Sequence, residues 1–434
     1  MPAFRCLCRL LAALLLSVAT LGVFAGAAAA QAIPPRTPIV LFPAFHFTRL
    51  LVNVQNQQVD PSCPASGSFE DWYPNPTPSA TFSRVCMDKL MTLRYDGDPS
   101  LPMPDRFSNQ QGVTVAMSDY GKTASAPAYE QMYASLEQAG WRRDVSIRVA
   151  GYDSRLTPDM GGFLSRTRHL IEKTYAANGN RRVHLVGHSN GPLYAQYLLT
   201  HSSESWKRKY IQGFTPIAGN FPGQGAMYGY LFTGLNLTTF TLPDTQEIAE
   251  SSARMLISAP STYMSAAAPS TFGTDEVVIA DAGTGKQYTP ADYHALVTAP
   301  GMPPEAAEIA DYYIGFVRFQ DGDPTSILPT STNLPNVDVY AEKGSGIPTL
   351  VGVTLHDLTV GQVFDSALPV FTRDGDGNEE DITNNAIQVW SAMPCHHFTL
   401  TDNSGLDHFS LAFDSAVLSR LMVNAQKTPT VCQS

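Results

Sequence analysis

Short apolar runs alternate with stretches of helical periodicity through the first half of the chain. Three runs are typical of buried strands: TPIVLFPAF at 37–45, VSIRVAGYD at 145–153 and RRVHLVGHS at 181–189. Three stretches repeat apolar residues every three to four positions and predict helices: 127–141, 161–179 and 192–202. Strands that alternate with helices in this way predict βαβ units on a mostly parallel sheet.

This rhythm changes near residue 223, where Gly, Pro and Ser become frequent and the helical stretches shorten. Apolar runs typical of strands return at 337–344 and 349–357. We therefore expect an α/β core in two parts, residues 33–222 and 333–434, with residues 223–332 inserted between them as a cap.

The N-terminal residues have the composition of a secretory signal peptide. Arg5 and Arg9 precede an apolar run at 10–30 that ends in alanines, and cleavage is expected near Ala30 or Ala32. A retained membrane anchor is the alternative, because the run is long enough to span a bilayer. Residues 1–32 as a signal peptide predict a secreted protein, or one in the lumen of the secretory pathway.

Four cysteines remain after such cleavage. An even number in an exported chain indicates two disulfides, and four cysteines allow three pairings. The most local choice joins Cys63 to Cys86 and leaves Cys395 with Cys432.

The segment around the first pair, residues 60–88, is rich in Pro, Ser and Asn and is expected to be a loop. It contains three aromatic residues, Phe69, Trp72 and Tyr73. Because so polar a segment has little core of its own, its aromatic side chains either pack on the domain or face an apolar interface.

Charge limits the partners of the chain. The formal net charge is -11, which argues against nucleic acid as a ligand. The same charge gives no long-range attraction to anionic lipid, so any peripheral membrane contact would be apolar. The cysteines and histidines have no spacing that suits zinc, and we expect neither a metal nor a cofactor.

Ser189 is the candidate nucleophile, because it lies in G-H-S-N-G between a predicted strand and a predicted helix. The pattern alone is weak, but strand, turn and helix together are the context of a nucleophilic serine. Flanking glycines let the strand and the helix approach closely, and the helix N-terminus provides free N–H groups for an anion. An ordinary turn serine is the alternative.

A serine hydroxyl needs a histidine base and a carboxylate to orient it. In this type of fold the order along the chain is serine, acid, histidine. His408, in a loop before an apolar helical stretch, is the candidate base. Five other histidines follow the serine: His201, His294, His356, His396 and His397.

Asp376 is the candidate acid, in FTRDGDGNEED after an apolar run, with Asp374 and Asp381 as neighbours. A turn at the carboxyl end of a strand is where a parallel sheet places its ligands. The alternative is a calcium loop, from which the segment departs because Glu379 stands where glycine is required and Asn385 where glutamate is required. The backbone N–H groups of His46 and Asn190 are expected to form the oxyanion hole.

Several of these stretches, in this order, resemble the lecithin:cholesterol acyltransferase family, which includes the lysosomal phospholipase and belongs to the α/β-hydrolase superfamily. They are PIVLFPAF, the Cys63–Cys86 loop, AGYDSRL, GHSNG, GFTPIAGNFPGQ, VDVYAEKGSGIPT, DGDGN and DHFSLAF. The resemblance implies an α/β-hydrolase fold with a cap, and it implies that Ser189, Asp376 and His408 form the triad. It also implies that the disulfide-closed loop contacts lipid through Trp72, with Phe69 and Tyr73 beside it.

The resemblance therefore predicts an enzyme that acts on glycerophospholipid esters through an acyl-enzyme. Release of the acyl group to water would make it a phospholipase, and release to a lipid alcohol would make it an acyltransferase. The alternatives are a neutral lipase or esterase for other esters and a catalytically inactive lipid-binding relative. The chain departs from the family pattern at Pro43-Ala44, at Ser154, at Asn190 and at Asn378.

Overall fold

The computed structural model describes residues 36–75, 77–237, 240–314 and 328–432. The predicted signal peptide, residues 1–32, lies outside the described residues. The described residues contain these strands: β1 Ile39–Phe42, β2 Leu50–Val54, β3 Gly67–Asp71, β4 Arg94–Tyr95, β5 Phe107–Ser108, β6 Val113–Met117, β7 Ile147–Val149, β8 Val183–His188, β9 Ile211–Ile217, β10 Ile279–Asp281, β11 Gln287–Tyr288, β12 Val339–Ser345, β13 Ile347–Leu355, β14 Val370–Gly375 and β15 Phe398–Ser404.

The same residues contain these α-helices: α1 Arg84–Met91, α2 Glu130–Gln138, α3 Phe163–Ala177, α4 Gly191–Thr200, α5 Glu204–Tyr210, α6 Ala226–Thr233, α7 Gln246–Ser258, α8 Pro260–Met264, α9 Pro269–Phe272, α10 Tyr293–Val297, α11 Ala306–Tyr313, α12 Asp381–Asn385, α13 His408–Leu411 and α14 Ser415–Ala425. Short 3₁₀ helices lie at Met103–Arg106, Thr123–Ser125, Pro127–Tyr129, Pro290–Asp292 and Ala386–Ala392.

The central sheet has six strands in the order β15-β12-β9-β8-β1-β7, and every neighbouring pair is parallel. Val40 and Phe42 of β1 enter one hydrophobic core, whereas Ile39 and Leu41 enter another. The sheet is therefore buried on both faces, as parallel sheets are, and its strands read as continuous apolar runs. The predicted α/β architecture with a mostly parallel sheet is confirmed. Helices α2 and α3 lie within their predicted stretches, and α4 begins one residue before its own.

Between β9 and β12 the chain leaves the central sheet and forms the helices α6 to α11. Its strands β10 and β11 join β13 and β14 in a four-stranded sheet of order β11-β10-β13-β14. The run predicted as a second returning strand is thus β13, and it pairs outside the central sheet. A three-stranded antiparallel sheet, β3-β2-β6, lies before β7 in the chain.

Two disulfides join Cys63 to Cys86 and Cys395 to Cys432, as the sequence predicted. The segment between Cys63 and Cys86 is more regular than expected, because β3 pairs along its whole length with β2. Pairing with β2 satisfies backbone groups that a polar sequence pattern gave no reason to place in a strand.

Three glutamates, Glu276, Glu379 and Glu380, are buried close to the end of β14. Burial, reinforced by Glu276, raises the pKa of Glu380 to about 8. Burial also raises the pKa of Glu276 to about 7, against the opposing effect of Arg373. A buried carboxyl without a full set of partners avoids the free-energy cost of a buried charge by staying protonated.

Because the folded chain favours protonated Glu380, its free energy of unfolding should fall as the pH rises. The folded chain holds this proton up to about pH 8, whereas an unfolded chain loses it near the ordinary value of 4.5. The stability from this group is therefore fully present below about pH 4.5 and declines toward pH 8. Glu380→Gln keeps an acceptor for the Gly225 N–H, and it should flatten the decline in the free energy of unfolding between about pH 5 and 8 in urea titrations.

Glu247→Gln is the control for that experiment, since Glu247 is exposed on α7. It should leave the pH dependence of the free energy of unfolding unchanged. An unaltered slope for Glu380→Gln as well would mean that Glu380 is ionised in the folded protein.

Candidate active site

Ser189 lies in a sharp turn between the strand β8 and the helix α4. Its φ of 60° is in the left-handed region, which is rare for a residue with a side chain and is a form of backbone strain found at functional sites. The turn is held by two backbone hydrogen bonds, from the Ser189 N–H to the Ile217 carbonyl and from the Asn220 N–H to the Ser189 carbonyl. Both partners belong to the end of β9 and the loop after it, so the neighbouring strand fixes the turn.

The two glycines of the motif are required by close contact. A Cβ on Gly187 would lie 2.6 Å from the backbone nitrogen of Pro192, and one on Gly191 would lie 2.1 Å from the carbonyl oxygen of Phe42. Helix α4 therefore begins directly against the ends of β8 and β1. This contact brings the N-terminus of α4 close to the serine.

Asp376 and His408 form a buried pair. The Nδ1 atom of His408 lies 3.1 Å from Oδ2 of Asp376, and the His408 N–H donates to the Asp376 carbonyl oxygen at 2.8 Å. The other carboxylate oxygen accepts from the N–H groups of Asn378 and Glu379. Burial alone would raise the pKa of Asp376, but the facing histidine and these donors outweigh it and hold that pKa below its ordinary value.

The route by which the chain brings Asp376 to this place differs from the expectation. Asp376 follows β14, which is antiparallel to β13 in the four-stranded sheet, and so it does not follow a strand of the parallel sheet. The chain leaves the end of β12, forms the hairpin of β13 and β14, and returns to the end of β12 at Asp376. His408 follows β15 and lies at the same place. The parallel sheet still determines the location, because β12 and β15 are neighbours in it.

The other residues considered from the sequence lie elsewhere. Asp374 is exposed and accepts from the Gly346 N–H. The remaining histidines have other surroundings: His294 and His356 are exposed, His201 contacts the Tyr197 carbonyl, and His396 and the His397 N–H face Asp338. The structure thus brings together Asp376 and His408 and leaves out the alternatives. The amide of Asn384, 3.3 Å from Asp376, supports the carboxylate and carried no signal in the sequence.

Ser189 and His408 line the same small cavity of about 30 Å³. Its walls are mainly apolar: Ala44, Phe45, Phe47, Met227, Tyr230, Leu235, Phe240, Leu256 and Phe409. Asn190, Gln224, Ser265 and Asn378 add polar groups. Among the described hydrogen bonds there is none between Ser189 and His408, a contact that often tightens only when substrate binds. A larger cavity of about 410 Å³, bordered by Tyr152, Arg155 and Phe163, contains none of the three residues.

The predicted oxyanion residues have different surroundings. Asn190 borders the cavity, and so does Phe45, but His46 is not among the lining residues. The His46 side chain is buried and faces Asp71, with 3.5 Å between Nε2 and Oδ1. Burial lowers the pKa of His46 despite that carboxylate, so its side chain is held as a neutral packing group.

The three aromatic residues of the Cys63–Cys86 segment differ in exposure. Phe69 is buried against Phe82, with ring centroids 5.3 Å apart, so the expectation that Phe69 faces lipid is wrong. Its position on the inner face of β3 explains this, because alternate residues of a strand point to opposite faces. Trp72 is half-buried, and its indole N–H donates to Glu70.

Tyr73 connects this segment to the cavity. Its ring lies 5.5 Å from that of Phe47, 5.0 Å from that of Phe240 and 6.1 Å from that of Phe409. All three partners line the cavity at Ser189. The Cys63–Cys86 segment therefore lies beside the cavity wall.

Two other kinds of feature are absent from the described parts of the chain. No group of three or more His, Cys, Asp or Glu side chains could hold a metal ion there. No helix in those residues is both long and apolar enough to cross a membrane.

Comparison with known proteins shows which family this chain resembles. The family model for lecithin:cholesterol acyltransferase matches residues 107–299, a range that includes Ser189. A phosphatidylcholine-sterol acyltransferase of Mus musculus is 26% identical over 345 residues, which are 75% of this chain and 72% of that protein. A lysosomal phospholipase A and acyltransferase of Homo sapiens is 25% identical over 328 residues, covering 71% of this chain and 72% of the relative.

A plant relative extends the match further along the chain. The lecithin-cholesterol acyltransferase-like 1 protein of Oryza sativa is 23% identical over 410 residues, which are 90% of this chain and 86% of that protein. Among solved structures, the crystal structure of the Tle4-Tli4 complex matches with a TM-score of 0.52 and 13% identity, over 90% of this chain and 99% of that one. At that identity the structural match concerns the fold alone.

Gly191→Ala should strongly destabilise the protein, because the added Cβ would lie 2.1 Å from the Phe42 carbonyl oxygen. The opposing atoms belong to the backbone, so no flexible side chain can move aside. We expect the free energy of unfolding, measured in urea, to fall by about 3 kcal/mol or more.

Gly97→Ala is the matched control, since nothing lies within 4 Å of its added Cβ. It should change the free energy of unfolding little. Equal stability of the two variants would contradict the close approach of α4 to β1.

Proposed function

We propose that this relative of the lecithin:cholesterol acyltransferase family is a secreted serine enzyme that transfers or hydrolyses the acyl groups of glycerophospholipids. The observation that carries the proposal is the buried Asp376–His408 pair, whose histidine lines the same apolar cavity as a serine in a left-handed turn. The names of the relatives supply the substrate class. The mainly apolar walls beside the serine suit the acyl end of such a lipid, although the cavity of about 30 Å³ must widen to admit a fatty chain.

In the proposed mechanism the Ser189 hydroxyl attacks the ester carbonyl and His408 accepts its proton. The ionised Asp376 orients the imidazole and stabilises its positive charge. The oxyanion is stabilised by the N–H of Asn190 and by an N–H of the turn at Phe45 and His46. His408 then returns the proton to the leaving alcohol, and an acyl-enzyme remains.

In the second half of the reaction His408 removes a proton from the acceptor, and the acceptor oxygen attacks the acyl-enzyme. Water as acceptor releases a fatty acid, whereas a lipid alcohol forms a new ester. In either case the proton returns to Ser189, and no metal or cofactor takes part in these steps. Secretion would follow from the signal peptide at 1–32, and the residues 223–332 would act as the cap over the site.

The experiment that tests this function offers phosphatidylcholine vesicles, with and without a sterol, and identifies the products by mass spectrometry. Lysophospholipid should form, together with free fatty acid, sterol ester or both. Ser189→Ala should stay folded and lose both product formation and labelling by a fluorophosphonate probe, because the attacking oxygen is removed. Products only from short soluble esters would favour a non-phospholipid esterase. Equal labelling of wild type and Ser189→Ala would place the nucleophile elsewhere.

Substitution of two neighbouring aspartates tests which of them is the acid that orients His408. Asp376→Asn should reduce kcat by about 10⁴-fold, because the amide would hold the imidazole in the wrong tautomer. Asp374→Asn, two residues earlier and exposed, should change kcat little. The opposite ranking would move the acid to Asp374.

We further propose that the Cys63–Cys86 segment contacts the lipid surface through Trp72. Tyr73 packs against residues of the cavity wall, so its neighbour Trp72 is held beside the site. An indole suits an interface that is apolar on one side and wet on the other. The chain is acidic and has no net positive charge that could attract a membrane, so the contact would depend on apolar side chains such as Trp72.

Trp72→Ala should weaken binding to phosphatidylcholine vesicles and slow their turnover about tenfold, while cleavage of a short soluble ester changes less than twofold. The reason is that only the vesicle substrate needs the surface contact, worth on the order of 1.5–3 kcal/mol for a buried apolar side chain. Trp206→Ala is the matched control, because Trp206 is also half-buried and donates its indole N–H to a glutamate, Glu172. An equal loss of both activities in Trp72→Ala would show that Trp72 supports the fold or the acyl pocket.

A further inference from the structure

Three hydrogen bonds join the turn after β1, the nucleophile strand and the segment of the candidate base. The backbone N–H of Ala44 donates to the Tyr129 hydroxyl oxygen at 2.9 Å. The same hydroxyl lies 2.9 Å from Nδ1 of His188. Nε2 of His188, in turn, lies 2.9 Å from the carbonyl oxygen of His408. His188 directly precedes Ser189, so this chain connects all three parts of the site.

The direction of the chain is fixed by the group at its end. The carbonyl oxygen of His408 can only accept, so Nε2 of His188 carries the ring proton. Nδ1 of the neutral ring is then an acceptor, and the Tyr129 hydroxyl donates its proton to it. The Tyr129 oxygen keeps a lone pair that accepts from the N–H of Ala44. All three bonds are satisfied in one arrangement of protons.

The surroundings keep His188 in this form. Both His188 and Tyr129 are fully buried, and the titratable groups that face His188 are Tyr129, His408 and, beyond it, Asp376. The Phe47 ring packs edge-on against His188, with 6.2 Å between centroids. Burial, together with the neighbouring His408, lowers the pKa of His188 to about 3. Burial likewise raises the pKa of Tyr129 well above its ordinary value. Neither group changes charge near neutral pH, so the two act as fixed hydrogen-bonding groups.

His408 is thereby held from two sides. Asp376 bonds to its ring at Nδ1 and to its backbone N–H, whereas His188 bonds to its backbone carbonyl. The two ring centroids of His188 and His408 lie 5.1 Å apart. A shift of β8 at His188 would therefore move the serine and the base together, and it would keep their spacing.

We propose that His188 and Tyr129 are positioning residues, which keep His408 and the oxyanion turn in register with Ser189. The proposal rests on the proposed function, because it concerns the rate of the same reaction. Neither residue contacts the cavity at Ser189, so they act through the backbone of the groups that do. Displacing a reacting group by about 1 Å can cost on the order of 100-fold in rate.

The test compares His188→Leu with His184→Leu. His184 lies four residues earlier on the same strand β8, is equally buried, has a pKa lowered by burial to about 3, and bonds through Nε2 to Thr215. Both variants lose one buried hydrogen-bonding imidazole, but only His188 reaches the site. The active sites of each preparation are counted with the fluorophosphonate probe, and kcat and KM are measured per active site on a short soluble ester.

We expect His188→Leu to lower kcat about 30-fold to 100-fold with KM changed less than threefold. His184→Leu should keep kcat per active site within about twofold, even where its stability falls. His188→Gln should recover much of kcat, since its amide N–H can replace the donor to the His408 carbonyl. Tyr129→Phe should lower kcat about tenfold, because the turn at Ala44 loses its acceptor.

The pH profile provides a readout that loss of stability would not move. If His408 loses its alignment with Asp376, the imidazolium is less stabilised, and the acid limb of kcat/KM should shift to lower pH in His188→Leu. An unshifted limb, or equal losses of kcat in the His188 and His184 variants, would overturn the proposal. If His188→Leu does not fold, the same comparison of pH profiles is made with Tyr129→Phe and His188→Gln. An inactive and unlabelled wild type would instead contradict the proposed function itself.

Discussion

The contact between Gly191 and the carbonyl of Phe42 is the constraint on which the rest of the structure depends. It allows α4 to start against the ends of two central strands, where any side chain would collide with backbone. The helix can then bury its whole surface in the core, and nine of its ten residues are buried. The strained turn at Ser189 follows from the same geometry, since the chain must reverse within very few residues.

Around that turn the site is assembled from segments far apart in the sequence. The parallel sheet determines where these segments meet, because the carboxyl ends of β1, β8, β12 and β15 lie on one edge. The loops after these strands carry the side chains of the site, and the buried Asp376–His408 pair connects two of those loops. Burial strengthens that pair, because the ring and the carboxylate interact with little water between them. A rigid frame that carries variable loops tolerates extensive change in sequence, and the relatives described above are about 25% identical to this chain.

The sequence could predict what local pattern determines. The strands β1, β7 and β8 and the helices α2, α3 and α4 follow from apolar periodicity, and the disulfide partners follow from proximity along the chain. Ser189 is a candidate from the sequence because strand, glycines and helix occur together within a few residues. The pairing of β3 with β2 could not be predicted, because a tertiary contact supplies it. The burial of Phe69 has the same cause. The interaction of Tyr129 with His188, 59 residues apart, has no local signature either, since each residue alone reads as core.

The glutamate that follows the candidate acid has an electrostatic consequence. Glu379 donates its backbone N–H to Asp376, yet burial and the nearby Asp376 and Glu380 raise the pKa of its own carboxyl well above the ordinary value. Neighbouring carboxyls thus carry opposite protonation states. The negative charge at this turn is therefore concentrated on the carboxylate that bonds to His408. An ionised carboxyl on Glu379 would repel that charge within the same buried space, so the proton on Glu379 removes a like-charge repulsion that would otherwise oppose folding of the turn.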